Sequence, residues 1–322
     1  MKKLLLLVLP FLVYSSCKKD DFTGIDFRQE MRDFVIGISD YSHTLDTNFV
    51  IIPQNGQEII TDNGEATGTP KFDYLQAIDA TGREDLFYGY NADNKPTPQE
   101  VTDNLLGLLQ ICEQNGVEVL TTDYCTSTEY VDDSYSKNNS HGFISTATER
   151  ALDLIPSYPA KPYNENDNDI LTMADAKNFL YLINPDKYTS KAEFISDLQQ
   201  TNFDVIIMDL FFEDGSQLTN SEISSLKTKA NGGKRLVICY MSIGEAEDYR
   251  YYWQSEWKKN PPDWLYDENP QWKGNYKVKY WMKDWQDIIY GNDSSYLKKI
   301  IDAGFDGVYL DIIDAFEYFE NL

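Results

Sequence analysis

Histidine and cysteine are scarce in this sequence, and their scarcity restricts the chemistry open to it. Only His43 and His141 occur among the 322 residues, at a predicted helix end and in a predicted loop. A Ser-His-Asp arrangement or a histidine-ligated zinc site is therefore not expected. Outside the N-terminal region, Cys112, Cys125 and Cys239 are odd in number and scattered, so they suggest neither a disulfide framework nor a metal site. We expect no metal and no cofactor.

Basic residues are also few. The chain has 28 lysines and arginines against 53 aspartates and glutamates, a formal net charge of −25. Such a surface repels nucleic acid and anionic membranes and would attract a cationic ligand. Acidity that serves only solubility explains the same balance. The aromatic content is high, with 23 tyrosines and 6 tryptophans, as in many secreted carbohydrate-active proteins.

Long apolar runs are absent except at the N-terminus. Lys2 and Lys3 precede an apolar stretch, residues 4–13, that is too short to span a bilayer. Small residues then precede Cys17, which resembles a lipobox whose cysteine would be acylated, and the following residues, 18–21, resemble the surface-export signal of Bacteroidetes lipoproteins. A plain cleaved secretory signal is the alternative. The predicted segments are a lipoprotein signal peptide (1–16), a lipid anchor and tether (17–26) and one domain (27–322).

Strand-like apolar segments alternate with helix-like segments along that domain. Residues 145–155 are predicted to be a helix after a polar loop, and residues 163–170 an exposed linker. Eight strands in about 300 residues predict a single (β/α)8 TIM barrel, with an open doubly wound sheet as the alternative. The predicted strands are residues 48–52, 74–85, 117–124, 178–183, 204–211, 235–242, 276–282 and 308–313.

The last predicted strand ends in carboxylates. Asp311 is flanked by Leu310 and Ile312, where a carboxylate is costly unless it is paired or used. Carboxyl ends of parallel strands face the ligand-binding side of such folds. Asp314 lies just beyond and is either a second site residue or a helix N-cap. Only nine residues follow position 313, too few for a crossover to another parallel strand. We therefore expect the tail to share one layer with the first helix.

Four segments resemble one family. SIGEAEDYR at 242–250, GFDGVYLDIIDAFEYF at 304–319, PQNG at 53–56 and GREDLFY at 82–88 resemble the bacterial and archaeal branch of the glycoside hydrolase family 114 superfamily. Its characterised relatives are endo-α-1,4-polygalactosaminidases with TIM-barrel folds. In the family the last two segments follow the Asp311 segment, whereas here they precede it. The resemblance therefore implies a circular permutation.

The resemblance also implies a site. It places the catalytic pair on Asp311, as nucleophile or base, and Glu84, as general acid, although these roles could be reversed. This chain departs from the fungal enzymes, which read E-P-D-N where it reads Tyr309-Leu310-Asp311-Ile312, so specificity for a galactosamine polymer does not follow. The predicted substrate-binding residues are Asp209, Glu245, Asp314, Gln54, Asn55, Tyr240, Arg83 and Trp281.

The resulting expectation is a monomeric glycoside hydrolase of the outer membrane, exposed at the cell surface and attached only through its lipid. Its partner would be a carbohydrate polymer, with a galactosamine-containing polysaccharide as the candidate. A non-catalytic glycan-binding lipoprotein on the same barrel is the alternative. Tryptophans between positions 253 and 272 would either stack on sugars or pack helices and loops.

Overall fold

Strands and helices alternate through residues 22–322, the part of the chain that the computed structural model describes; Cys17 and the predicted signal peptide lie outside it. The strands are β1 (Val50–Pro53), β2 (Ala80–Glu84), β3 (Glu118–Tyr124), β4 (Ile144–Thr148), β5 (Phe179–Tyr181), β6 (Val205–Met208), β7 (Leu236–Ser242), β8 (Glu245–Glu247), β9 (Leu265–Glu268), β10 (Asn275–Val278) and β11 (Gly307–Asp311). The α-helices are α1 (Phe27–Leu45), α2 (Phe72–Leu75), α3 (Gln99–Gln114), α4 (Thr128–His141), α5 (Lys191–Gln199), α6 (Asn220–Leu226), α7 (Lys283–Ile289), α8 (Tyr296–Ala303) and α9 (Ala315–Glu320).

Eight of these strands run parallel in two sheets. The larger sheet has the order β1-β11-β7-β6-β5 and the smaller the order β2-β3-β4. An isolated parallel bridge between Gln54 and Gly82 connects β1 to β2. On the far side, the carbonyl of Leu152 accepts backbone hydrogen bonds from Ile183 and Asn184. No strand ladder joins β4 to β5 within the described residues, so the fold is an α/β arrangement of parallel strands in barrel-like order.

Alternate residues of the parallel strands face two apolar cores. On β11, Val308 and Leu310 belong to the core between strands and helices, whereas Tyr309 belongs to an inner core. That inner core collects residues from both sheets, including Leu120 of β3 and Ile207 of β6. Both faces of the strands are thus buried, which explains their nearly continuous apolar sequences. The shared inner core also holds the carboxyl ends of both sheets on one side of the molecule.

Two errors in the strand prediction concern a whole element, and a third is one of bounds, because the predicted strand 74–85 begins within α2 and only Ala80–Glu84 is β2. Residues 144–148, assigned in part to a helix, form β4, and the polar loop predicted before them contains α4. The predicted strand 276–282 does not join the parallel strands, because β10 lies in a separate antiparallel sheet of order β8-β10-β9. The predicted number of parallel strands, eight, is right only because the two errors cancel: β4 is an additional parallel strand, and residues 276–282 do not form one. Ile144 is the one large apolar residue of β4, and the four small residues after it carry little periodic signal.

The predicted exposed linker at residues 163–170 is held by buried polar contacts. Asn166 donates a 2.8 Å hydrogen bond to Asp204 through its side-chain amide. Its carbonyl accepts a hydrogen bond from Lys229, whose ammonium also lies 2.8 Å from Asp204 with both side chains fully buried. This segment therefore closes the amino-terminal side of the strands rather than joining two units.

The two ends of the described chain lie together. Arg28 of α1 forms a 2.9 Å ion pair with Glu320 of α9, and the rings of Phe27 and Phe319 stack with centroids 5.6 Å apart. β1 and β11 are direct neighbours, as the short tail led us to expect. None of the helices within residues 22–322 is long and apolar enough to cross a membrane.

Candidate active site

A cavity of about 920 Å³ opens at the carboxyl ends of the parallel strands. Because parallel strands end on one side, the residues that terminate them converge there. Among residues 22–322, seven carboxylates but only three cationic side chains line the cavity. The carboxylates are Glu84, Asp209, Glu213, Glu245, Glu247, Asp311 and Asp314, and the cations are Arg150, Arg250 and Lys273.

Asp311 terminates β11 and lies deep in the cavity. The hydroxyl of Tyr240, from the adjacent β7, donates a 2.5 Å hydrogen bond to its Oδ2, and the backbone N–H of Ile312 donates to Oδ1 at 2.8 Å. Both bonds favour the ionised form. Burial and the negative charge of Glu84 oppose them and raise the pKa of Asp311 to about 7. This carboxyl group can therefore hold a proton near neutral pH.

Glu84 terminates β2, on the other side of β1 from Asp311. Asn55 donates a 2.9 Å hydrogen bond to Oε2 through its side-chain amide, and its own Oδ1 accepts from the backbone N–H of Glu84. The hydroxyl of Tyr124, at the end of β3, donates to Oε1. Both oxygens of Glu84 thus accept hydrogen bonds from fixed donors, which orients the carboxylate in the cavity.

Unusual backbone conformations follow the residues that end these strands. Asn55, Asp85 and Ile312 have φ values of 60°, 59° and 62°, although none is a glycine. A positive φ in a β-branched residue such as Ile312 is rare and strained. Strain of this kind persists only where surrounding contacts impose it, and it is concentrated at functional sites. Here it turns the chain sharply just after Gln54, Glu84 and Asp311.

Two glycines make room for this geometry. A Cβ on Gly82 would lie 2.1 Å from the hydroxyl of Tyr309, whose ring fills the inner core. A Cβ on Gly244 would lie 2.2 Å from the carbonyl of Ile312. The turn after β7 can therefore approach the turn after Asp311 only because position 244 has no side chain.

A cluster of charged side chains also lines the cavity. Arg250 donates a 2.8 Å hydrogen bond to Asp209, forms an ion-pair contact with its other oxygen at 2.7 Å, and also pairs with Glu247. Glu245 accepts a 2.8 Å hydrogen bond from Asn269 and lies 3.3 Å from Lys277. Each of these carboxylates is thus held in an ion pair, and Asp209 and Glu247 share the single charge of Arg250.

Three further predicted residues lie in the cavity wall. Tyr240 holds Asp311, and Gln54 accepts a 3.2 Å hydrogen bond from the hydroxyl of Tyr181. Asp314 occupies the N-cap position of α9 but makes no side-chain cap hydrogen bond, and its carboxylate lines the cavity. Burial raises the pKa of Asp314, an effect that Arg83 opposes.

Two predicted binding residues lie outside the cavity lining. Arg83 donates a 3.3 Å hydrogen bond to Gln57 from the opposite face of β2. Trp281 packs against Phe27 and Phe319, with ring centroids 5.1 Å and 4.8 Å away. Neither side chain is therefore part of the wall of this cavity.

Some cavity residues escaped the sequence interpretation. Tyr124 was visible as a strand-end residue, and its position at the end of β3 was the available signal. Arg150 lay in a segment assigned to a helix, yet its guanidinium lies 3.9 Å from the centroid of the Tyr124 ring and 3.0 Å from Asp85. Neither histidine is among the lining residues.

Within residues 22–322, no group of three or more histidine, cysteine, aspartate or glutamate side chains is arranged to hold a metal ion. Cys112, Cys125 and Cys239 are buried as free thiols, and burial raises the pKa of each. The described thiols are therefore unsuited to act as nucleophiles at the cavity.

Comparison with known proteins supports the resemblance for the C-terminal half. Residues 165–322 match the model of glycoside-hydrolase family GH114. An uncharacterized protein of Methanocaldococcus jannaschii is 51% identical over 127 residues, which are 38% of this chain and 34% of that protein. Uncharacterized proteins of Thermotoga maritima and Deinococcus radiodurans are each 41% identical, over 38% and 37% of this chain and 36% of their own lengths. Each match thus spans only about a third of the relative.

Proposed function

Because residues 165–322 belong to the glycoside hydrolase family 114 superfamily, we propose that this protein cleaves a polysaccharide by a two-carboxylate mechanism. The observation that carries the proposal is the pair at the ends of β11 and β2. Asp311 has a pKa raised to about 7, and Glu84 is fixed by hydrogen bonds to both oxygens. Glycoside hydrolysis needs one carboxyl group that donates a proton and a second that attacks or activates water.

The raised pKa favours Asp311 as the general acid, the reverse of the roles first inferred from the resemblance. Protonated Asp311 would give its proton to the glycosidic oxygen as the bond to the anomeric carbon breaks. Glu84 would either attack that carbon or take a proton from an incoming water molecule. Tyr240 would hold Asp311 in place before and after the transfer.

The charge of the cavity favours an amino sugar as substrate. Of its three cations, Arg250 is neutralised by Asp209 and Glu247, and Arg150 also pairs with Asp93 outside the lining. Because the carboxylates outnumber these cations, the electrostatic field in the cavity is strongly negative and would attract protonated amino groups. A galactosamine-containing polymer is the candidate that agrees with both this charge and the family.

The test is incubation of the purified protein with α-1,4-polygalactosamine, its N-acetylated form and chitosan, followed by assay of new reducing ends. Asp311→Asn and Glu84→Gln should each lower the rate by at least a hundredfold, since each removes one half of the catalytic pair. Glu100→Gln, on the exposed face of α3, is the matched control and should retain wild-type activity. Full activity in both cavity variants would refute the mechanism.

The roles can be separated with an aryl glycoside whose leaving group needs no protonation. Asp311→Asn should retain much of its activity on that substrate, because the general acid is then dispensable. Glu84→Gln should not recover. If instead Glu84→Gln retains activity on that substrate and Asp311→Asn does not, Glu84 is the acid, as the resemblance first implied. Binding of a polymer without release of reducing ends would favour the alternative, a glycan-binding protein.

Surface attachment is part of the same proposal and rests on the sequence around Cys17. Cys17→Ser should prevent acylation and release the protein from the outer-membrane fraction. Protease treatment of intact cells should degrade the wild-type protein if it faces outward. Membrane association that survives Cys17→Ser would contradict the lipid anchor.

A further inference from the structure

Trp272 differs from every other tryptophan in the chain. The other five, Trp253, Trp257, Trp264, Trp281 and Trp285, all pack against other aromatic rings. Trp272 is 64% exposed, makes no such ring contact within the described residues, and lines the cavity. Burying this ring would remove a large apolar area from water. An exposed tryptophan at a binding cavity is therefore a candidate contact for ligand.

A second exposed ring lies at the same end of the β8-β10-β9 sheet. In the antiparallel pair of β8 and β10, Asn275 is opposite Glu247. Trp272 precedes this pair on one chain segment and Tyr249 follows it on the other, so both extend beyond the same end of the ladder. A 2.8 Å hydrogen bond from the backbone N–H of Asp248 to the carbonyl of Gly274 holds the two segments together.

Tyr249 is held in place although 64% of it is exposed. Its hydroxyl donates a 2.6 Å hydrogen bond to Glu247, and Arg250 lies over the ring at 5.3 Å from the centroid. A ring fixed in this way loses little conformational freedom when a ligand stacks on it. Tyr249 lines the same cavity as Trp272.

We propose that Trp272 and Tyr249 form an aromatic platform for a sugar unit of the polymer other than the one being cleaved. The proposal rests on the proposed function, in which the substrate is a polysaccharide. The platform stands on the antiparallel sheet, whereas Asp311 and Glu84 end parallel strands. A cavity of about 920 Å³ lies near the upper limit for small-ligand sites, which suits more than one sugar ring.

The chemistry of the platform suits an amino sugar. The C–H face of a pyranose ring packs on an aromatic face and removes apolar surface from water on both sides. A protonated amino group on the sugar would also be attracted to the electron-rich face of Trp272. The platform would thus bind the polymer without taking part in bond cleavage.

The test measures binding and turnover separately, with α-1,4-polygalactosamine as the probe. Affinity is measured by calorimetry in a Glu84→Gln background, with and without Trp272→Ala, Tyr249→Ala, Tyr249→Phe or Tyr90→Ala. Trp272→Ala should weaken binding about tenfold, and Tyr249→Ala several-fold. Tyr249→Phe keeps the ring but removes its hydrogen bond to Glu247, so its affinity should fall between those of the parent protein and Tyr249→Ala. Tyr90 is 50% exposed but outside the cavity lining, so Tyr90→Ala is the matched control.

Turnover distinguishes this proposal from the proposed function. In the otherwise wild-type protein, Trp272→Ala should raise KM far more than it lowers kcat, since a remote subsite contributes equally to ground and transition states. Cleavage of the polymer with unchanged affinity in Trp272→Ala would overturn the platform and leave the hydrolase intact. Polymer binding that depends on Trp272, without any cleavage, would support the platform and contradict the proposed hydrolase function. Failure of the parent protein to bind the polymer would also overturn the platform.

Discussion

Burial raises the pKa of Asp311, and the negative charge of Glu84 raises it further, although the two residues come from distant parts of the chain. They end β2 and β11, and only β1 lies between these strands. Neither element makes a site alone. The pairing of the last strand with the first creates it, and the electrostatic coupling of the carboxylates leads to measurable consequences.

The first consequence is a stability that depends on pH. The folded-state pKa of Asp311 is about 7, above its ordinary value of 3.8, so the folded protein holds this proton more tightly than the unfolded chain. The contribution of Asp311 to the stability of the wild-type protein therefore falls as pH rises from about 4 to about 7 and then levels off. Asp311→Asn removes the ionising group. Its stability relative to wild type should increase across that window by on the order of 2 kcal/mol.

Thermal or urea unfolding at pH 4, 6 and 8 would measure this difference. Glu84→Gln provides the matched comparison, because loss of the neighbouring charge should lower the pKa of Asp311 and shrink the effect. A stability difference that is the same at all three pH values would contradict the assignment of a raised pKa to Asp311.

Tyr240 should set the alkaline limit of activity. Its hydrogen bond to Asp311 favours the ionised carboxylate, so Tyr240→Phe should raise the pKa of Asp311 further. If Asp311 is the proton donor, the alkaline limb of the kcat/KM profile should move to higher pH. Tyr280→Phe, which removes a buried hydroxyl that bonds Phe27 far from the cavity, should leave the limb in place. A shift to lower pH would exclude Asp311 as the acid.

Arg150 should act on Glu84 through Tyr124. Its guanidinium lies 3.9 Å from the Tyr124 ring centroid, and that tyrosine donates a hydrogen bond to Glu84. Arg150→Met should lower kcat/KM about tenfold by loosening this ring, and Tyr124→Phe should have a similar effect. Because both substitutions act through one contact, the fold-loss of kcat/KM in the double variant should be much smaller than the product of the two single fold-losses.

The control for this cycle is Lys137, which lies over the Tyr88 ring at 5.2 Å and outside the cavity lining. Lys137→Met should not alter the effect of Tyr124→Phe. Multiplicative losses for Arg150→Met and Tyr124→Phe would show that the two residues act independently.

The placement of strand-end residues was accessible from the sequence, whereas contacts between distant elements were not. Asp311 follows from the apolar segment that it ends, whereas Glu84 follows only from its place in a family-like motif. Arg83 could not line the same cavity as Glu84, since adjacent residues on a strand face opposite sides. Trp281 was expected to bind substrate, but its ring packs against Phe27 of α1 and Phe319 of α9, a contact that the sequence does not reveal. Arg150 required knowledge that residues 144–148 form a strand.

The circular permutation implied by the motif order leads to a further experiment. A chain in which residues 161–322 precede residues 22–160, joined by a short glycine-serine linker, would restore the order that the resemblance describes. The join is short, because Phe22 lies 5.7 Å from Phe319 between ring centroids and Arg28 pairs with Glu320. The new ends at Ala160 and Lys161 are exposed, where cuts are best tolerated.

This rearranged chain should fold with the same circular dichroism spectrum and retain the activity of the original, because every strand keeps its neighbours. A modest loss of thermal stability is expected from the new loop. The matched control cuts between Ile206 and Ile207 in the centre of β6, which separates paired residues of a buried strand and should abolish folding. If the chain cut at residue 160 also fails to fold, the connection there is essential and the permutation proposal loses its physical basis. Folding of the first chain alone would show that the order of the two halves is exchangeable, as a permutation requires.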